Sequence, residues 1–404
     1  MINSFKQKFN IQLVMKMLTF IMAAGVVIPM PFIEGSQYFW ALLTLTIIYN
    51  IYLLILDLKE YIKLYFWEML FIISCFVSAI INYQYNNIYS IVKPLITALI
   101  IFNMVTNKKN VTKDEINVED NVINIYLLIF TFILGIISLG MFILNPVDIL
   151  KGARFDGIYY NANQMGFWNF VSISISSFRL KKNKSFHTFN IIIQTLLLFL
   201  SGCRSAIISI VVFGIYLLSK KINNKKNIRK IIIAITCFSI LFLVFITVIR
   251  YQWMFKAIEG YYLDYIINAL TGMRYKLWKD AFHIFINKPI FGVGVDNIYN
   301  AASILLPQNS YIIIGNWEDA HNILITLLAY TGIVGTYIFI KLIYDKIKKS
   351  INNKLYNELI IVICLLIIAL FDIGIVFDNR ILSVYFWYVI GRINTYDYLK
   401  NIKR

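Results

Sequence analysis

Three histidines and four cysteines are all the chain carries, and acidic residues number only 21 against 38 basic ones. These shortages exclude several kinds of chemistry. With no His/Cys cluster and no paired-aspartate segment, there is no ligand set for zinc or for the divalent metal of a nucleotide-sugar transferase. Cys75, Cys203, Cys237 and Cys364 lie within or at the ends of apolar runs without paired spacing, so they read as small core residues, not as a disulfide framework. No glycine-rich loop ends in Lys-Ser/Thr, which argues against ATP hydrolysis, and no Gly-x-Ser-x-Gly marks a serine hydrolase. The Gly-x-Gly of "FGVGVDN" (residues 291–297) lacks the strand-turn-helix setting of a dinucleotide site.

What the chain has in abundance is apolar surface. Hydrophobic residues make up 59% and charged residues 15%, with a mean hydropathy of +0.71. Continuous apolar runs recur from end to end, long enough to cross a hydrocarbon layer of about 30 Å. Their continuity excludes a β-barrel, whose strands alternate. The fold class is therefore all-α, a polytopic integral membrane protein of about 12 transmembrane helices with one large extracytoplasmic loop. The spans fall near 11–31, 37–57, 64–82, 88–106, 122–145, 166–179, 188–202, 203–219, 231–249, 322–343, 357–375 and 380–392. Residues 1–404 form one membrane domain: N-terminal spans (1–121), core spans (122–249), the loop (250–321) and C-terminal spans (322–404). The basic start and first apolar run show no persuasive cleavage site and read as a retained span.

The net charge of +17 sits in short connections between apolar runs, which is a topogenic pattern and not a nucleic-acid footprint. Lysines cluster in connections 58–63, 107–121, 180–187, 220–230 and 344–356 and at the C-terminal "KNIKR", while the turn at 83–87 has neither Lys nor Arg. Both termini are accordingly placed in the cytoplasm. Against that pattern Arg154, Arg204, Arg250, Arg274 and Arg380 all fall on the outer side. Arginine at membrane depth is costly; it either snorkels to headgroups or faces a partner. Several together beside a structured loop point to a shared anion site.

Within the loop, residues 272–286 read as an amphipathic helix, with Trp278, Ala281, Phe282 and Phe285 as its apolar stripe. It can lie along the outer membrane surface as a lid. Asn287-Lys288-Pro289 ends it, and "FGVGVDN" follows as a tight glycine turn. His187, in the basic "KKNKSFHTF", reads as surface, and His283 as a packing or interface residue of the amphipathic helix. His321 differs: it stands at the outer N-terminal end of a span, followed by Asn322. A neutral imidazole there can take a proton from a sugar hydroxyl near pH 7, or simply be a polar residue at the interface. The Glu318-Asp319 pair before it favours the helix N-terminus electrostatically. "RFDGIYYNANQMGFW" (154–168) brings an arginine, tyrosines and asparagines to the same side; this suits sugar and anion binding, although aromatic interfacial belts share the composition.

In order, these segments resemble the O-antigen polymerase/ligase superfamily of membrane glycosyltransferases. The resemblance runs through Arg154-Phe155-Asp156-Gly157, Asn161-Ala162-Asn163 with Gly166, and Ser201-Gly202-Cys203-Arg204-Ser205. It continues through Arg274, Trp278 and Ala281 with Pro289, Gly292 and Gly294, and closes on His321-Asn322 with Leu324, Gly332 and Gly335. Ala162 replaces the family's usual proline, Cys203 a hydroxyl residue, and Tyr330 a common glutamate.

The resemblance implies a metal-independent inverting transfer at the outer face of the bacterial cytoplasmic membrane, with no cofactor. The implied donor is a glycan on undecaprenyl diphosphate, and the acceptor is another lipid-linked glycan (polymerase) or lipid A-core (ligase). Arg204, Arg274 and Arg154 would bind the diphosphate, and His321 would be the catalytic base or orient the acceptor hydroxyl. Tyr159, Asn161, Asn163 and Asn322 would contact sugars. The lipid bilayer and a chain-length regulator are the further partners implied. The modest loop favours polymerase. A flippase, the reading from another class, would place its charged site at the bilayer midplane and show internal repeats, neither of which the sequence displays.

Overall fold

The computed structural model describes residues 13–14, 16–20, 64–85, 87–104, 113–144, 154–221, 274–372, 376–377 and 381–402. Among them the regular elements are all helical: α1 (Phe66–Ile81), α2 (Tyr89–Asn103), α3 (Lys113–Leu144), α4 (Ala162–Arg179), α5 (Lys184–Ser201), α6 (Arg204–Lys221), α7 (Tyr275–Asn287), α8 (Ile298–Leu305), α9 (Tyr311–Ile314), α10 (Ile323–Asn352), α11 (Tyr356–Ala369) and α12 (Ile381–Ile402). By length and composition Ile116–Leu144 and Ile323–Asn352 are long and apolar enough to cross a membrane. Phe66–Ile81, Tyr89–Phe102 and Tyr356–Ala369 are shorter apolar helices. The expected spans at 37–57 and 231–249, most of 11–31, and loop residues 250–273 with Arg250 lie outside the described residues, as do Arg380 and Cys237.

Helix ends follow from local chemistry. Asn161 caps α4 by accepting the Gln164 N–H at 2.9 Å, and Asn183 caps α5 by accepting that of Phe186 at 3.3 Å. Gly202, at φ +57°, ends α5 in the left-handed region that a C-terminal cap favours. The helix α4 is the centre of the bundle. Its residues from Gln164 to Ser176 are buried, and it packs along α5. Small hydroxyl side chains permit that approach and supply partners: Asn190 donates to Ser172 at 3.0 Å and Ser176 at 2.8 Å, and Thr131 of α3 meets Ser172 at 2.8 Å. By contrast α3 turns a stripe of Ile125, Ile129, Ile133 and Ile137 outward, the face a hydrocarbon solvent requires.

Two connections expected from lysine counting are different in the structure. Lys346, assigned to a cytoplasmic loop, lies within α10 at 1% exposure, 2.9 Å from both Glu68 and Asp345. Asn394 of α12 accepts from Lys346 at 2.8 Å and donates to Glu68 at 2.8 Å, so one buried cluster joins α1, α10 and α12. His187, read as surface, is 5% exposed in the first turns of α5, edge-on to Phe186 at 5.3 Å. In both places a helix extends past the apolar run into residues that look like a solvated linker.

Candidate functional site

The helices α6, α7 and α10 each begin with a residue singled out by the sequence. Arg204 is the first residue of α6, Arg274 is the N-cap of α7, and Asn322, next to His321, is the N-cap of α10. A cation at a helix N-terminus opposes the macrodipole, so Arg204 and Arg274 gain nothing from their own helices. Backbone N–H groups, dipole and guanidinium together make such an end attractive to an anion.

Arg274 is half-buried and donates to the Phe371 carbonyl, just before Asp372. Burial lowers its pKa from the ordinary arginine value. The Asp372 and Asp319 carboxylates oppose that shift, and Arg204 adds to it. Arg274, Arg204, Asp372 and Asp319 therefore share one electrostatic neighbourhood. Arg154 joins it through the turn before α6: its Nε donates to the Ser201 carbonyl at 2.8 Å, and its guanidinium also donates to Asn163 Oδ1. Cys203 lies in the fields of both Arg154 and Asp372. The loop holding Arg154 is pressed into place at Gly157, where φ is +58° and a Cβ would come within 2.5 Å of Ser138 Oγ on α3.

His321 follows the exposed turn Gly315–Trp317. Its backbone N–H donates to Asp319 Oδ1 at 2.6 Å, its Nδ1 stands 3.2 Å from the same oxygen, and its ring lies edge-on to Trp317 at 5.1 Å. Asn322 accepts from the N–H groups of Leu324 at 3.0 Å and Ile325 at 3.2 Å, and donates to Leu370 at 3.1 Å. That amide thus ties the start of α10 to the segment carrying Phe371 and Asp372. On another side Lys93 of α2 pairs with Asp296 and stands 4.0 Å from Glu318.

A crossing of two backbones holds His321 in register. Inside α10, Gly332 has φ +63° and ψ −163°, so the helix is broken there. The glycine turn expected at 291–297 fills the break: Val293 N–H donates to Ala329 at 2.8 Å, Gly294 N–H to Tyr330 at 2.8 Å, and Ile333 N–H to Pro289 at 2.8 Å. Ser78 of α1 donates to Tyr330 at 2.7 Å, and Asn82 to Gly292 at 2.9 Å. Irregular backbone within a bundle persists only where its polar groups are satisfied in this way. The Tyr330 hydroxyl donates to the Glu318 carbonyl at 2.9 Å, linking the break to the turn before His321.

Residues 189–340 match the family model described as O-antigen ligase. No curated protein matches the chain. The match includes Arg204, Arg274 and His321-Asn322, while Arg154 and Asp372 stand outside it.

The departures from the family pattern have local explanations. Ala162 occupies the first turn position of α4, where a proline loses no helical bond and alanine serves as well. Tyr330 uses its hydroxyl on the backbone of the turn before His321. Of the expected sugar contacts, Asn161 is engaged as a helix cap, and Asn163 and Asn322 as anchors for Arg154 and the α10 start. Tyr159 is 3% exposed with its ring tilted 6.5 Å from that of Trp168, and Tyr160 beside it is exposed. Sequence reasoning missed Asp372 altogether and gave Asp319 to the helix dipole; Lys93 was hidden in a run read only as an anchor. Among the described residues no three His, Cys, Asp or Glu side chains stand together as a metal site.

Proposed function

We propose that this chain transfers a glycan from undecaprenyl diphosphate to a sugar hydroxyl at the outer face of the cytoplasmic membrane, with a second lipid-linked repeat unit as acceptor. The observation that carries the reading is the grouping of Arg204 and Arg274, each at a helix N-terminus, with Asp319 beside His321. A diphosphate ester requires concentrated, preorganised positive charge as it leaves, and guanidinium groups supply it through charge-assisted hydrogen bonds. Arg154 adds a third cation through the turn that starts α6.

In the reaction the acceptor hydroxyl oxygen attacks the donor's anomeric carbon from the face opposite the diphosphate. The carbon–oxygen bond to the diphosphate breaks, and undecaprenyl diphosphate departs with the electron pair. The hydroxyl proton passes to His321 Nε2, since Nδ1 faces Asp319. The donor is already activated by its leaving group, so this route calls for neither a nucleotide sugar nor a metal. The exposed apolar side chains of α7, Phe282 and Ile286, suit a helix lying at the membrane surface beside the site.

A second reading takes up the word ligase in the family description, with lipid A-core as the acceptor. Incubating the purified protein with lipid-linked repeat units separates the two. A ladder of longer lipid-linked glycans supports polymerisation, and transfer only when lipid A-core is added supports ligation. Movement of the lipid-linked glycan across vesicles with neither product would overturn both. Co-purification with a chain-length regulator is a further expectation of the polymerase reading.

A further inference from the structure

We infer that Asp319 is the positioning residue for His321, setting the ring's orientation and tautomer so that Nε2 receives the acceptor proton. The inference rests on the transfer reaction proposed above and adds a residue to it.

The turn Asp319-Ala320-His321 is fixed at each residue. Asp319 Oδ1 accepts the His321 backbone N–H at 2.6 Å and stands 3.2 Å from Nδ1. Ala320, with no exposed surface, donates its N–H to Thr326 Oγ1 at 3.1 Å, which binds the turn to the first turn of α10. His321 itself has φ +47°, a left-handed conformation that few residues other than glycine adopt. Such geometry persists where the surroundings over-determine it, and here one carboxylate oxygen accepts the backbone N–H and stands beside the ring's buried Nδ1. Trp317 lies edge-on to the ring at 5.1 Å, and Nδ1 is buried on the Asp319 side of the ring.

A carboxylate on Nδ1 does two things for a base. It keeps the proton on Nδ1 so that Nε2 carries the lone pair, and it stabilises the imidazolium that forms when Nε2 takes the hydroxyl proton. Charged groups act on Asp319 from every side: His321 in its own turn, Asp372 after α11, Lys93 on α2 and Arg274 at the start of α7. Burial raises its pKa above the ordinary carboxylate range; His321 and its N–H oppose this, Asp372 adds to it, and Lys93 opposes it. A raised folded-state value contributes stability present at low pH and lost as pH rises through that value.

The test compares wild type, Asp319→Asn, Asp319→Glu and His321→Gln as full-length protein in proteoliposomes. The probe is undecaprenyl-diphosphate-linked glycan extracted from the source strain. For Asp319→Asn the expected kcat falls by about 10²–10³-fold. Its donor KM stays within about twofold, and its Tm at pH 7 equals or exceeds wild type. Asp319→Glu regains part of the rate. Wild-type kcat in Asp319→Asn would overturn the inference, as would a loss of rate matched by a loss of Tm. His321→Gln separates the two layers. If His321→Gln is active, the proton-transfer reading fails; if it is inactive while Asp319→Asn is wild-type, only the positioning role fails.

Discussion

Replacing Gly292 by alanine tests the backbone crossing that sets the start of α10. Gly292 has φ +65°, and alanine in that region costs about 1–2 kcal/mol. Its new Cβ would stand 2.5 Å from the Ala329 oxygen and 2.5 Å from the Tyr330 carbonyl carbon. Both are backbone atoms in the interior, with Ala329 at 0% and Tyr330 at 3% exposure, so no side chain can swing aside. The two segments must separate, which lengthens the Val293-to-Ala329 and Gly294-to-Tyr330 bonds, both 2.8 Å. Each such bond is worth about 0.5–1.5 kcal/mol. Together with the conformational cost, the loss is roughly 2–5 kcal/mol. Gly140 and Gly214 are the controls, because a Cβ built at either meets nothing within 4 Å. Alanine in those helices should be neutral or stabilising by up to about 1 kcal/mol. Thermal unfolding of the purified variants reads the difference. A Gly292→Ala protein as stable and active as Gly140→Ala would refute the crossing.

Other perturbations reach the site and its frame. Arg204→Gln and Arg274→Gln should each raise the donor KM by about 10–100-fold, the value of one charge-assisted hydrogen bond, measured with the lipid-linked donor at fixed acceptor. Asn322→Ala removes the cap on Leu324 and Ile325 and the tie to Leu370. It should cost about 1–2 kcal/mol in unfolding and lower kcat as the α10 start loosens. Lys346→Met strands Glu68 at 1% exposure and should cost about 3–5 kcal/mol. The double variant with Glu68→Leu should recover most of that in a thermal double-mutant cycle.

How much of this was legible in the sequence depended on whether the signal was local. The helices at 188–202 and 203–219 appear as Lys184–Ser201 and Arg204–Lys221, because apolar runs bounded by Asn183 and Gly202 carry their own caps. The amphipathic helix expected over 272–286 is Tyr275–Asn287, but its buried face is Leu277, Ala281 and Ile284, while Phe282 is 47% exposed. That helix is apolar on two sides: Ala281 and Trp278 of the expected stripe face the core, and Phe282 faces outward. The break at Gly332 was invisible because the apolar pattern runs on through it; only the partner segment at 289–294 reveals it. Asp319 and Asp372 were missed for a related reason. They act through groups distant in the chain or through their own backbone, and neither belongs to a repeating pattern. Lys346 shows the converse, a lysine counted as a topological charge that proves to be the hub of a buried cluster.

The measurement closest to the central claim is transfer by the purified chain in proteoliposomes given only lipid-linked glycan and acceptor, with His321→Gln alongside. Longer or ligated glycans from wild type, none from His321→Gln, and donor still bound by that variant is the expected result. Undiminished transfer by His321→Gln, or no transfer by wild type with an authentic donor, would contradict it.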